Sequence, residues 1–137
     1  MRRIFILINK LFFSKKEKGS LSIIGVGPGD PSQLTIEAAR ALKKSKVIFY
    51  PISKEDKDSY SLNIVRKYIK NKKKIPLIFP MARKEYDSKL IWKNSAKLIY
   101  TYISKKKPVA LLCLGDTSIY ASSFYLKDEI KKNYPDI

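Results

Sequence analysis

The chain has 137 residues, with 29 Lys and Arg against 12 Asp and Glu, a net charge of +17, and no histidine. Its 45% hydrophobic fraction is too high for a disordered basic tail, and the length suits one closed core. Without histidine there is no Ser-His-Asp or Cys-His catalysis and no HExxH zinc site, and the single cysteine, Cys113, excludes an internal disulfide and a cysteine zinc cluster. Residues 1–18 (MRRIFILINKLFFSKKEK) form a basic leader, expected to be disordered. Its apolar run breaks at Asn9 and Lys10, no A-x-A site follows, and it is far short of the ~20 residues that span a bilayer. Leu21 to Val26 (LSIIGV) then reads as a buried strand. A helix is expected from Asp30, with Asp30 as N-cap, Pro31 in the first turn, and Leu34, Ala38, Ala41 and Leu42 as its apolar stripe.

Val47 to Tyr50 (VIFY) is predicted as a second strand that stops at Pro51. Lys54 to Ser59 is a charged loop, and Leu62, Val65 and Ile69 mark a second helix fading into lysines 70–74. Ile75 to Phe79 (IPLIF) is a third strand, with Pro76 arguing for an edge position. Asp87 to Lys105 is a longer helix. It carries Ile91, Ser95, Leu98 and Tyr102 on one face and Trp92, Ala96, Ile99 and Ile103 on the next. Val109 to Leu114 (VALLCL) is a fourth buried strand, in which Cys113 packs as a small apolar residue, and Ser118 to Asn133 a last helix.

Four strand-helix units with continuous apolar strands imply an α/β class. The expected form is a parallel sheet in a three-layer domain with helices on both faces. Such sheets bind ligands beyond the carboxyl ends of their strands. Two unusual loops fall there. Gly25 to Asp30 (GVGPGD) follows a strand and opens a helix, so backbone N–H groups face a cleft. It is neither the dinucleotide fingerprint, since Asp30 stands where a third glycine belongs, nor a P-loop. A tight turn with glycines for steric reasons explains it equally well. Leu114 to Tyr120 (LGDTSIY) sets Gly115 and Asp116 at a strand end, where Asp116 or Ser118 could equally cap the last helix.

Together these loops resemble the tetrapyrrole methylase family, the S-adenosylmethionine methyltransferases of cobalamin type. Ile23 to Pro51 (IIGVGPGDPSQLTIEAARALKKSKVIFYP) resembles that family's first strand, loop, helix and second strand. Cys113 to Leu126 (CLGDTSIYASSFYL) resembles its G-D-P loop, with Thr117 in place of proline. Phe79-Pro80-Met81, Trp92 and Pro51 point within the family to the precorrin-2 or cobalt-factor-2 C20-methyltransferases. The related rRNA ribose methylases have a different helix after the loop, so the resemblance ranks RNA lower.

The resemblance implies S-adenosylmethionine as cofactor, a tetrapyrrole as substrate and a homodimer at full length; the lone cysteine fits a reducing cytoplasm, and no membrane is expected. It places Pro28, Leu114, Gly115, Asp116 and Ile119 beside the methyl donor, and Pro51 and Met81 toward the tetrapyrrole. It assigns no catalytic side chain and no metal. The family has two domains, and residues 19–137 match the first. The expectation is therefore an N-terminal α/β domain without its C-terminal partner, weakly active or inactive alone and exposing apolar surface. The alternatives are a basic RNA-binding or rRNA-methylating relative and a non-functional gene fragment. The basic clusters at Lys15, Lys16 and Lys18, at Arg66 to Lys74 and at Lys105, Lys106 and Lys107 read as a solvated coat or as a surface for nucleic acid, an anionic membrane or an acidic small molecule, the last including substrate carboxylates.

Overall fold

A computed structural model describes residues 19–53, 58–79, 85–114 and 121–137. The expected leader lies outside the described residues, as do most of the charged loop, Pro80, Met81 and residues 115–120. Four strands form one parallel sheet: β1 (Ser20–Gly25), β2 (Val47–Ile52), β3 (Lys73–Ile78) and β4 (Pro108–Cys113), ordered β1-β4-β2-β3. The helices are α1 (Ile36–Lys44), α2 (Tyr60–Val65), α3 (Glu85–Ile103) and α4 (Ala121–Asn133).

Alternation along the central strands decides which helices cover which face. Val47, Phe49, Val109 and Leu111 point to one side, where Trp92, Ala96, Ile99 and Ile103 of α3 meet Leu126 and Ile130 of α4. Ile48, Ala110 and Leu112 point to the other, against Ala38 and Leu42 of α1 and Ile64 and Val65 of α2. The three-layer expectation therefore holds. Of the two apolar faces expected on α3, the one headed by Trp92 enters the core, while Leu98 of the other stays partly exposed. Cys113 is buried in β4, as expected.

Two expectations need correction. The first helix does not begin at Asp30. Asp30 caps a short 3-10 turn, Pro31–Gln33, accepting from the Ser32 N–H at 2.8 Å. The chain then extends through Leu34, and Thr35 becomes the true N-cap, its hydroxyl accepting from Ala38 N–H at 3.1 Å. Two cap residues five apart compete. The break between them lets Leu34 pack on the core from an extended backbone. The second strand does not stop at Pro51 but runs through it to Ile52. Pairing of β2 with β4 ends at Phe49. The Ile52 carbonyl faces β3, where it accepts from Phe79 N–H at 2.8 Å. By alternation Pro51 faces the other way, past the end of the β4 ladder, so its missing N–H costs nothing. Pro76 behaves as expected, since β3 is an edge strand.

Gly19 lets the chain pass the carboxyl end of α3, because a Cβ there would lie 2.0 Å from the Ile103 carbonyl oxygen. Gly19→Ala should lower stability by roughly 2 kcal/mol through overpacking against backbone, read as a lower urea midpoint at unchanged slope. In the turn after α3, Lys106 holds φ at +59°, a left-handed conformation that favours glycine. Lys106→Gly should raise stability by roughly 1 kcal/mol in the same measurement.

Candidate functional site at the carboxyl edge of the sheet

Because every strand is parallel, all four strand ends lie along one edge. There β1 and β4 are neighbours, with Gly25 opposite Cys113. The ladder continues one step further, Val26 N–H donating to the Cys113 carbonyl at 2.9 Å. From this shared end the chains part. The Gly25–Asp30 loop leads to α1 on one face, and the segment after Leu114 leads to α4 on the other. Neighbouring strands whose connections leave to opposite faces open a crevice between them, the usual ligand position of such sheets.

The glycine loop is built for close approach. Gly27 has φ +80° and Gly29 has φ +155°, both in the region that side chains avoid. A Cβ at Gly29 would meet nothing within 4 Å, so that side of the loop is open. Pro28 sits exposed between them. The Asp30 carboxylate turns back on its own loop. Backbone and hydroxyl hydrogen bonds from Ser32 hold its pKa below the usual carboxylate value. Its role is thus to shape the turn.

The remaining expected residues divide by where they fall. Leu114 is half-buried, packed on the core face that holds α1. Pro51 lies at the same edge beyond β4, its carbonyl accepting from the Ser59 hydroxyl at 3.3 Å. Ser59 also caps α2 through Leu62 N–H, which ties the Pro51 end of β2 to that helix. Pro28, Leu114 and Pro51 therefore share one edge. Gly115, Asp116, Ile119 and Met81 lie outside the described residues.

An aromatic row along this edge was not anticipated as a unit. Phe79 packs on Trp92 (ring centroids 4.8 Å), Trp92 on Tyr125 (5.9 Å), and Tyr125 on Phe124 (6.1 Å). Only the place of Phe124 and Tyr125 on their helix was legible in the sequence. Leu126 and Ile130 form the buried stripe of α4, so the two aromatics before them must sit at its rim. Phe124 and Tyr125 are 51% and 52% exposed, and Ile36 and Tyr60, at the first residues of α1 and α2, are 73% and 80% exposed. Ile78 at the end of β3 joins them. Exposed apolar side chains thus collect at the carboxyl edge of the sheet, where they leave apolar surface in contact with solvent.

The family profile of the tetrapyrrole (corrin/porphyrin) methylases matches residues 20–137. This chain belongs to that family. Among individual proteins, it is 32% identical over 109 residues to a probable cobalt-precorrin-2 C(20)-methyltransferase of Methanocaldococcus jannaschii, covering 80% of this chain and 46% of that protein. It is 27% identical over 113 residues to the cobalt-precorrin-2 C(20)-methyltransferase of Salmonella typhimurium, covering 82% and 48%. The chain thus spans about half the length of these relatives. The crystal structure of a cobalt precorrin-4 methyltransferase superposes with a TM-score of 0.60 at 20% identity, over 82% of this chain and 41% of that one, a likeness of fold.

Among the described residues, no helix of this tetrapyrrole methylase is long and apolar enough to cross a membrane. The exposed apolar rim should make the chain self-associate and bind an apolar dye. Replacing Phe124 and Tyr125 with serine should reduce both, measured by sedimentation velocity and dye fluorescence. A dye-silent, monomeric wild-type chain would contradict this.

Proposed function

We propose that this chain supplies one half of an S-adenosylmethionine-dependent C-methyltransferase acting at C20 of precorrin-2 or cobalt-factor-2, in the cytoplasm and as a homodimer. The observation that carries the reading is the junction of β1 and β4, which sets the glycine loop beside the end of β4. The similarity to proteins named C20-methyltransferases supports this choice of substrate, which fold alone would leave open.

The residues present suit such a donor. The open side of Gly29 and the positive φ of Gly27 allow close backbone approach, and Pro28 and Leu114 offer apolar contact beside it. Gly115, Asp116 and Ile119 are proposed to complete that wall. When bound, S-adenosylmethionine supplies an activated methyl group on a sulfonium. The protein's own work is then placement. The loop fixes the donor, and Pro51 and Met81 are proposed to face the macrocycle. The aromatic row walls the edge against water. The tetrapyrrole's ring carbon would itself be the nucleophile: the methyl–sulfonium bond breaks as the new carbon–carbon bond forms, leaving the neutral thioether, and the proton the ring gives up passes to water, so no side-chain nucleophile is required.

The test joins this chain to the C-terminal half of the Methanocaldococcus jannaschii relative and supplies methyl-labelled donor with precorrin-2 or cobalt-factor-2. The fusion should place the label on C20, and the chain alone should transfer little. Gly27→Val, which forces a β-branched residue into a positive φ, should lower kcat/KM of the fusion by about tenfold or more. A folded fusion that labels a different ring carbon would overturn the assignment.

A further inference from the structure

The opposite edge of the sheet has a separate chemistry. All strands begin there, and lysines gather at each return of the chain. Lys43, Lys44 and Lys46 precede β2, Lys70, Lys72, Lys73 and Lys74 lead into and open β3, and Lys105, Lys106 and Lys107 precede β4. Strand register brings these clusters together. Val47 pairs with Lys73, and Lys46 N–H donates to the Pro108 carbonyl at 2.8 Å. Six-residue strands hold this edge about 20 Å from the crevice. The clusters therefore face away from the carboxyl edge.

Between the starts of β2 and β3 lies a cleft of about 480 Å³, lined by Lys46, Lys67, Lys70, Lys72 and Tyr68 and by no carboxylate. Lys72 is committed to the fold. Its ammonium donates to the Lys43 carbonyl at 2.8 Å and to the Ser45 carbonyl, closing the end of α1, and burial lowers its pKa. Lys46, Lys67 and Lys70 are exposed. Two aromatic rings stand among the cations. Lys67 lies 5.0 Å over Tyr68, and Lys73 and Lys105 lie 5.0 and 5.8 Å over Tyr102. A hydrogen bond from Lys73, helped by the charges of Lys73, Lys105 and Lys107, holds the Tyr102 pKa below its usual value.

We infer that this edge docks the phosphate backbone of a single-stranded nucleic acid, at a surface separate from the methyl-transfer site. Converging lysines unrelieved by carboxylates repel one another and are relieved by a polyanion that neutralises several at once. A flexible single strand can lay its phosphates along a lysine-lined cleft of this size, which a duplex is too wide to enter. A membrane surface fits less well, because the exposed apolar side chains that would anchor in lipid crowd the other edge.

The test is fluorescence anisotropy of a labelled oligouridylate of about 12 nucleotides across a salt series. Three proteins are compared: the wild-type chain, an edge variant (Lys46→Gln, Lys67→Gln, Lys70→Gln) and a control variant (Lys89→Gln, Lys93→Gln, Lys97→Gln) on the exposed side of α3. Lys72 is kept in both, so the end of α1 stays closed. The slope of log affinity against log salt should fall by about 2 in the edge variant, with roughly tenfold weaker binding at low salt, while the control stays near wild type. Equal losses in the two variants would mean a solvated lysine coat and would overturn the inference. So would no binding by the wild type, or edge-dependent binding to phosphatidylserine vesicles in place of the oligonucleotide.

Discussion

The parallel pairing of β1 with β4 organises the molecule. These strands are separated in sequence by two other strands and three helices, yet they run side by side with Ser20 opposite Pro108 and Gly25 opposite Cys113. Inserting β4 between β1 and β2 makes the connections leave β1 and β4 on opposite faces. That divergence opens the crevice. The glycine loop matters only because it stands at this junction; at the end of β3 the same loop would be an ordinary turn.

Parallel topology also sorts the surface by chemistry. Each helix starts at the carboxyl edge and ends at the amino edge, so residues that open helices collect at one end and residues that close them at the other. Exposed Ile36, Tyr60, Phe124 and Tyr125 lie toward the carboxyl edge, while lysines gather where the strands begin. Lysines in the last turns of α1 and α4 also suit the negative ends of those helix dipoles. The charge is therefore arranged by the fold, a fact that composition alone does not contain.

Much of this was legible in the sequence. Four apolar runs gave the strands, and the spacing of Trp92, Ala96, Ile99 and Ile103 gave the buried face of α3. Local signals failed where two of them competed or where tertiary pairing decided the outcome. Asp30 and Thr35 are both good caps, and only the packing of Leu34 shows which one starts the helix. Pro51 reads as a strand terminator until the β4 ladder is seen to end before it. The crevice was legible in part, through its glycines. The aromatic row was not, because Phe79, Trp92 and Tyr125 come from three different elements that only the fold brings together.

The most direct measurement is a nitrogen-15 amide spectrum of the chain titrated with S-adenosylhomocysteine to millimolar concentration. Shifts confined to the amides of residues 25–30 and 113–120 are expected if the two strand ends form one wall of the donor site. Shifts centred on the lysine cleft at the far edge, or an unchanged spectrum throughout the titration, would contradict it.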